Sequence, residues 1–368
     1  MTSAVNVVIH ASQFPEKVRR DLLESLRVRQ VNHKFHYDSV KQTQKWFALH
    51  QAYSPSRNDA DCQAVYEQGF KVATAKIKTP RVHVIGLGCG GGQKDTRLLK
   101  SLKKAGREIF YTPCDVSTAM VLTARWTALA VLPEKNCFPL VCDLATADDL
   151  PEVFDQIIWE GRRVGDPNIS GTAASHFAPP GVAMQDRRHP SQEGARLLTF
   201  FGMIPNFEPE IILLKLASLV RPKDFLLFSA NLAPGREYAA GVKKVLPQYN
   251  NPLTRDWLMT FLLDLGVGHN DGELRFKIED DRANGLKRIV AGFYFTRARR
   301  IEVDNETFDF HAGESIRLFF SYRYTPEHVR KVLARFGLEV CDQWTTKSEE
   351  EGVFLCRNSE GRALRVPN

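Results

Sequence analysis

The sequence predicts an α/β protein built on a parallel sheet flanked by helices, and three observations carry that expectation. Strand-like and helix-like segments alternate five times between Val82 and Leu232, the rhythm of parallel strands joined by right-handed helical crossovers. The first of these strands runs into "GLGCGGG", Gly86 to Gly92, and the helical "KDTRLLKSLKKAG" follows at once. A strand, a glycine loop and a helix in that order let a ligand come very close to the backbone. The next two strands each end on a carboxylate, Asp115 and Asp143.

The elements follow in order. Val18, Leu22, Leu23 and Leu26 recur at helical spacing within a helix expected from Pro15 to Arg29. "HKFHYDSVKQTQKWFALHQAYSPSR" is a mixed, aromatic-rich segment ending in a proline-containing turn. Asp59 to Ile77 predicts a second helix, with Val65, Phe70, Val72 and Ala73 on one side. After the glycine loop and its helix, "EIFYTPCD" reads as a strand and "STAMVLTARWTALAVL" as a helix with Ser117 at its N-cap. "CFPLVCDL" is the third strand, and "DLPEVFDQIIWEG" is helical. Arg162 to Gly194 is rich in Gly, Pro, Ser, Asp and Arg and shows little periodicity. It predicts a long surface loop, and loops of that length are functional or disordered; it is a candidate lid over a substrate. "ARLLTFFGMIPNFEP", "EPEIILLKLASLV" and "DFLLFSANL" give the fourth strand, a helix and the fifth strand. The rhythm then breaks: helices and a strand-like "KRIVAGFYFTRARRIEV" fill the stretch to Phe310, and the chain closes with strands "ESIRLFFSYRY" and "VFLCRN" around a helix "TPEHVRKVLARFGL".

Composition narrows the function classes. The 368 residues are 43% hydrophobic and 25% charged, as in globular proteins, and the length allows one large domain or two ordinary ones. No apolar run reaches the roughly 18 residues of a membrane helix, so no membrane partner is expected. The N-terminus lacks the basic segment of a signal peptide. Seven cysteines, none in a CxxC pair, favour neither a zinc site nor a disulfide framework. A cytoplasmic location and no metal are the expectations. The formal net charge of +7 invites a polyanionic partner. The basic residues are dispersed, however, and Arg297, Arg299 and Arg300 sit within a strand-like stretch, so a solvated face is expected in place of a nucleic-acid surface.

The glycine loop admits two ligand classes. Gly86, Gly88 and Gly91 satisfy the GxGxxG spacing of dinucleotide sites, whose acid lies about 20 residues further on. Asp115 lies well beyond that offset. No GKS or GKT follows the glycines, which excludes a P-loop. "GLGCGGGQKD" instead resembles the E/DxGxGxG loop of S-adenosylmethionine-dependent methyltransferases. That resemblance implies that Gly86, Gly88 and Gly90 admit the cofactor's amino-acid part, that Asp115 accepts from the ribose hydroxyls, and that Asp143, with Leu144 after it, stands by the adenine. Read without the resemblance, each aspartate could equally cap the helix that follows it.

A more specific resemblance runs over most of the chain. "FHYDS" and "YSPSR" resemble the FYD and YYPTR elements of the histidine-specific methyltransferase family, which includes the L-histidine α-N-methyltransferase of ergothioneine synthesis and a dimethylallyltryptophan N-methyltransferase. "VIGLGCGGGQKDTRLL" resembles its LGSGTGEKTRLLL, "YTPCDVS" its YVPVDVS, and "FFGMIPNFEP" its FLGSTIGNFTP. "GESIRLFFSYRYT" resembles its GExIxTExSxKYT, and "WTT" near Trp344 its C-terminal tryptophan element. The resemblance implies a class I, Rossmann-like cofactor domain over 60–232, completed by 318–368, and a smaller α+β substrate domain from 1–59 plus 233–317. It implies that Asn206, beside Gly202, and Tyr249 hold a substrate carboxylate, with Tyr53 lining the same pocket and Tyr37 near the amine.

The chain departs from the family where the side chain of the substrate is read. The glutamate that grips imidazole is Phe319 here, while Ser321 is kept, and the family's methionine against the substrate matches Ala291. The loop after the fourth strand is one residue shorter than the family's. Imidazole N–H groups left unpaired would cost several kcal/mol, so histidine is not the expected substrate. The expectation is an N-methyltransferase acting on the amine of a small, amino-acid-like molecule with an apolar or aromatic side chain, as a monomer or homodimer. Tyr37 or Tyr53 would relay the amine proton. Three rivals remain at this level: a nucleic-acid methyltransferase, a nicotinamide oxidoreductase and a non-catalytic cofactor-binding protein. Against the first, the loop reads "GMIPNFEP" and not Asn/Asp-Pro-Pro-aromatic.

Overall fold

The computed structural model describes residues 4–164 and 194–359. Most of the loop read from Arg162 to Gly194, with its suggested lid, therefore lies outside the described residues. The regular sheet strands are β1 (Val8–Ile9), β2 (Arg81–Leu87), β3 (Glu108–Asp115), β4 (Leu140–Val141), β5 (Gly194–Phe201), β6 (Phe225–Asn231), β7 (Gly272–Asp281), β8 (Leu286–Phe295), β9 (Arg299–Val303), β10 (Glu306–Phe310), β11 (Ser315–Arg323), β12 (Leu338–Thr345) and β13 (Glu351–Asn358). The helices are α1 (Pro15–Arg27), α2 (Val40–Tyr53), α3 (Pro55–Asn58), α4 (Ala60–Lys76), α5 (Gln93–Lys104), α6 (Thr118–Ala128), α7 (Leu150–Val164), α8 (Pro209–Leu219), α9 (Tyr238–Val245), α10 (Pro252–Asp264) and α11 (Pro326–Arg335).

Eight strands form one sheet in the order β1-β4-β3-β2-β5-β6-β13-β12. Its strands run parallel from β1 to β6, and β13 alone is reversed, antiparallel to both β6 and β12. Alternation sends Val82 and Val84 to one face, with Leu98, Leu99 and Leu102 of α5 and Tyr66 and Phe70 of α4. Ile85 and Leu87 go to the other, with Phe154 of α7, Ile212 and Leu216 of α8 and Leu333 of α11. Each such large side chain taken out of water contributes about 1.5–3 kcal/mol.

Caps set the helix starts. The Asp59 carboxylate accepts from the Cys62 N–H at 2.8 Å and starts α4, and Ser117 starts α6. The segment read as mixed contains α2, begun by a reciprocal Ser39–Gln42 capping box; Ser-x-x-Gln was the signal in the sequence. The strand read over "CFPLVCDL" is regular only at Leu140–Val141, because Pro139 has no N–H for the ladder.

The second sheet, β11-β8-β7, and the ribbon β10-β9 pack with α1, α2 and α10 on a separate core of Leu26, Phe35, Trp257, Phe261, Phe293 and Leu318. The run "KRIVAGFYFTRARRIEV" divides between β8 and β9, which belong to different sheets. The break is anchored by Asp271, whose carbonyl accepts from the Thr296 N–H at 2.9 Å and whose carboxylate pairs with Arg297 and Arg299. β7, β10 and β12 were not read from the sequence. The boundary placed at 318 falls inside β11, which pairs with β8, so the chain re-enters the large sheet only at β12. The N-terminal segment likewise contributes β1 to the large sheet.

Candidate active site

The carboxyl ends of β2 to β5 open into a cavity of about 940 Å3, where parallel sheets place ligands. Its floor is the glycine loop from Leu87 to Gly91, with Asp115 and Val116 after β3, Cys142 to Ala145 after β4, and Gly202, Met203, Asn206 and Phe207 after β5. Its roof comes from the N-terminal segment: Asn32, His33, Lys34, Tyr37, Trp46 and His50. Arg317 and Phe320 of β11 close one side.

On the floor, Asp115 is buried, and its two carboxylate oxygens accept from the Gly90 N–H at 3.0 Å and the Ser117 N–H at 3.1 Å. The glycine loop and the aspartate thus hold each other, leaving further lone pairs toward the cavity. Burial pushes the Asp115 carboxyl up to about 6 in spite of those N–H groups. Gly90 has φ of +52°, and Trp46 packs 3.1 Å from where a Cβ would stand. Gly86 has a different reason. A Cβ there would lie 2.3 Å from the Asp95 carboxylate, and Gly86 does not line the cavity. Asp95 accepts from the Tyr111 hydroxyl and the Thr199 hydroxyl, both at 2.7 Å, and burial raises it to about 6. Gly86 therefore makes room for an internal carboxylate, whereas Gly88 and Gly90 line the cavity, with Met203 and Trp46 packed against them.

Asp143 and Leu144 line the neighbouring part of the cavity. One Asp143 oxygen accepts from the Ala145 N–H at 3.0 Å, and the Asp143 N–H donates to Ser12 at 2.9 Å. The other oxygen is buried without a hydrogen-bond partner, 3.6 Å from the Lys34 ammonium. Lys34 is itself buried and bonded to Asp21 at 2.6 Å. A carboxylate with one unpartnered oxygen at the cavity lining, close to a glycine loop, fits an adenosine whose amino and hydroxyl groups donate. The cofactor-side residues thus converge, with Gly86 behind them.

The substrate-side residues divide. Tyr37, Tyr53, Gly202 and Asn206 line the cavity, Tyr53 at its exposed rim. The Tyr37 hydroxyl shares a hydrogen bond of 3.1 Å with His33 Nε2. Burial, and then the Asp115 charge, push the phenol well above its ordinary range. Burial, helped by His36, holds His33 down to about 3, so its ring is neutral. The Gly202 N–H donates to Ser229 at 2.9 Å.

Ala291, Tyr249, Phe319 and Ser321, by contrast, do not line this cavity. Ala291 and Phe319 are cross-strand partners in the second sheet. Phe319 lies behind His33, with ring centroids 5.6 Å apart, and packs on Trp257 and Tyr249. The Tyr249 hydroxyl donates to Ser321 at 2.9 Å and accepts from Arg323 at 2.8 Å. The physical reason is a bulge in β11 between Arg317 and Phe319. An extra residue reverses the side-chain alternation beyond it, so Arg317 and Phe320 reach the cavity and Phe319 and Ser321 turn away.

Sequence reasoning passed over His33, Lys34, Lys94 and Asp95. Lys94 lines the cavity one residue beyond Gln93, and its ammonium donates to Tyr66 at 2.7 Å. Lys94 and Asp95 stand inside the quoted glycine motif and could have been found there. His33 and Lys34 carry no pattern, since only the packing of the N-terminal segment over the loop brings them in.

The sequence profile of the family described as histidine-specific, SAM-dependent methyltransferases matches residues 18–358. An N-methyltransferase, imqF, of Aspergillus flavus is 24% identical over 283 residues, covering 74% of this chain and 65% of that protein. The chain thus spans about two thirds of the length of the curated relative it matches. Among solved structures, the CcbJ methyltransferase of Streptomyces caelestis is similar at 12% identity and a TM-score of 0.36, covering 80% of this chain and 89% of that one. Magnesium protoporphyrin IX methyltransferase of Synechocystis PCC 6803, with bound SAH, is similar at 13% identity and a TM-score of 0.38, covering 87% and 95%. The sheet order with β13 alone reversed is that of the class I methyltransferase fold.

Proposed function

The chain belongs to the histidine-specific, SAM-dependent methyltransferase family, and from that premise we propose that it transfers a methyl group from S-adenosylmethionine to the amine of a small aromatic, amino-acid-like molecule other than histidine. The observation that carries this reading is the cavity itself. Two buried carboxylates and a glycine loop lie on its floor, and the aromatic rings of His33, Tyr37, Phe207 and Phe320 contribute to its lining.

The cofactor, when bound, supplies a methyl group already activated on a sulfonium, so the protein's part is positioning and exclusion of water. Asp115 would take the ribose hydroxyls and Asp143 the adenine amine, and the backbone at Gly88 and Gly90 would admit the amino-acid part. Lys94, whose ammonium donates to Tyr66 beside that loop, would supply a cation for the carboxylate of that part. Trp46, stacked on His50 at 4.8 Å, covers the loop from above. The large sheet thus holds the cofactor, and the N-terminal segment with the second sheet covers the substrate.

On the substrate side, Asn206 and Tyr37 offer neutral polar groups to the amine. A neutral amine attacks the methyl carbon, the N–C bond forms as the S–C bond breaks, and one proton leaves the nitrogen. His33 and Tyr37 are both uncharged, so neither holds that proton on the nitrogen as a carboxylate counter-ion would. Tyr37 Oη, bonded to His33, passes it to water at the rim near Tyr53. The aromatic part of the lining supports an aromatic substrate, and the small-molecule size of the cavity supports this class over a nucleic acid.

Two assays test the reading. A thermal-shift series with S-adenosylmethionine, S-adenosylhomocysteine and NAD is expected to show stabilisation by the first two only. Incubation with S-adenosylmethionine and a panel of amino acids and aromatic amines, followed by mass spectrometry, is expected to show a gain of one methyl or more on an aromatic amine. Preferred methylation of L-histidine, or stabilisation by NAD alone, would overturn it.

A further inference from the structure

We propose that Arg317 reads a carboxylate on the substrate, so that the acceptor is a carboxylated aromatic amine held between Arg317 and the glycine loop; this rests on the methyl-transfer reading above. The bulge in β11 places Arg317 and Phe320 on the cavity wall. The guanidinium carbon lies 5.0 Å from the Phe320 ring centroid, so the group is stacked and its edge is free to bond.

The backbone beneath it is pinned on both sides. The Arg317 N–H donates to the Arg29 carbonyl at 2.9 Å, and the Val31 N–H donates to the Arg317 carbonyl at 2.8 Å. The side chain is four-fifths buried but poorly partnered. Its one hydrogen bond among the described residues goes to the neutral Gln30 Oε1 at 2.5 Å. Glu208, 3.9 Å away, is committed elsewhere: one oxygen accepts from Arg288 at 2.8 Å and the other from the Tyr322 hydroxyl at 2.6 Å. A guanidinium has five N–H donors in a planar fork. A fork largely unfilled, facing a cavity, is a place for a planar anion.

The residues expected to hold a carboxylate strengthen the assignment by their positions. The Tyr249 hydroxyl is occupied by Ser321 and Arg323 outside the cavity, which leaves Asn206 without its phenol partner. Burial, and then the charge of Arg288, act to lower the Arg317 pKa, and Glu208 and Glu279 oppose them from a distance. A carboxylate is favoured over a phosphate because a second negative charge would stand beside Glu208.

Binding, not turnover, tests this. Isothermal titration of the protein loaded with S-adenosylhomocysteine would compare matched pairs with and without the carboxylate: L-tryptophan and tryptamine, L-tyrosine and tyramine, L-phenylalanine and phenethylamine. At least one carboxylated member is expected to bind better than its partner, and Arg317→Gln to weaken it about 10- to 100-fold. Arg317→Lys, which keeps the charge without the fork, is expected to recover part of that loss. Unchanged affinity for S-adenosylhomocysteine shows that both variants are folded. Binding of no pair member, equal binding within every pair, or a preference that survives in Arg317→Gln would overturn the proposal. Methyl transfer, measured separately, reports on the parent reading: carboxylate-dependent binding without turnover would count against that reading and leave Arg317 standing.

Discussion

Asp115 combines the two requirements of a cofactor carboxylate: its oxygens are held by the Gly90 and Ser117 N–H groups, and it faces the cavity. Asp115→Asn is expected to weaken S-adenosylhomocysteine binding by about 2–4 kcal/mol, because the charge-assisted contacts become neutral ones. Calorimetry showing unchanged affinity would sink the assignment. The same residue sets a pH limit. Its carboxyl sits at about 6, so cofactor affinity is expected to be flat above that value and to fall as the pH drops through it. Phe319 gives a contrasting case. The motif resemblance implies a substrate-reading residue at this position, whereas Phe319 is buried against His33, Trp257 and Tyr249. Phe319→Glu is therefore expected to destabilise the fold on the order of 3–5 kcal/mol by burying an unpaired charge. A stably folded variant with a changed substrate preference, seen by denaturation and competition assays, would contradict this placement.

Among the elements, the N-terminal segment has the most to say about function. β1 adds a parallel edge strand beside β4, and Ser12 just beyond it accepts from the Asp143 N–H. Lys34 then places its charge next to the orphan Asp143 oxygen. Removing residues 1–13 is expected to weaken cofactor binding more than it weakens folding, since two exposed strand residues contribute little apolar burial. A truncated protein with full affinity for S-adenosylhomocysteine would show that β1 is only an edge cover. β11 is the second informative element. One bulge decides which of its side chains meet the substrate, and a strand read as a strict alternation puts the wrong ones there.

For the whole molecule, buried histidines and aspartates pull the pH dependence of stability in opposite directions. Burial lowers His33 and His50 to about 3 and His36 to about 4. Their neutral forms contribute stability present in full above the unfolded value of about 6.5 and lost as the pH falls toward the folded values. Asp95 and Asp115 are raised to about 6, so the cost of ionising them in the fold is relieved below that pH. Three groups oppose two, and the histidines begin to act first. Denaturant unfolding of the cofactor-free protein is expected to show lower stability at pH 5.5 than at pH 7.5. Equal or greater stability at the lower pH would show that the histidines are more solvated than the fold implies.

The features legible in the residues alone are local in origin. The alternation of five strands and helices, the glycine loop with Asp115 and Asp143 after it, and the cap at Ser117 depend on residues a few positions apart, and the structure shows each of them, with the third strand shorter than read. Tertiary structure decided the rest, because it depends on pairings across long stretches of chain. β12 and β7 have few local marks and exist because β13 and β8 provide ladders for them. Gly86 yields to Asp95 and not to a ligand, which only the fold of α5 against β2 reveals. His33, Lys34 and Arg317 enter the cavity from segments more than 50 residues from the glycine loop. Their roles come from neighbours that no spacing in the sequence encodes, since burial and a missing partner are properties of the packed molecule.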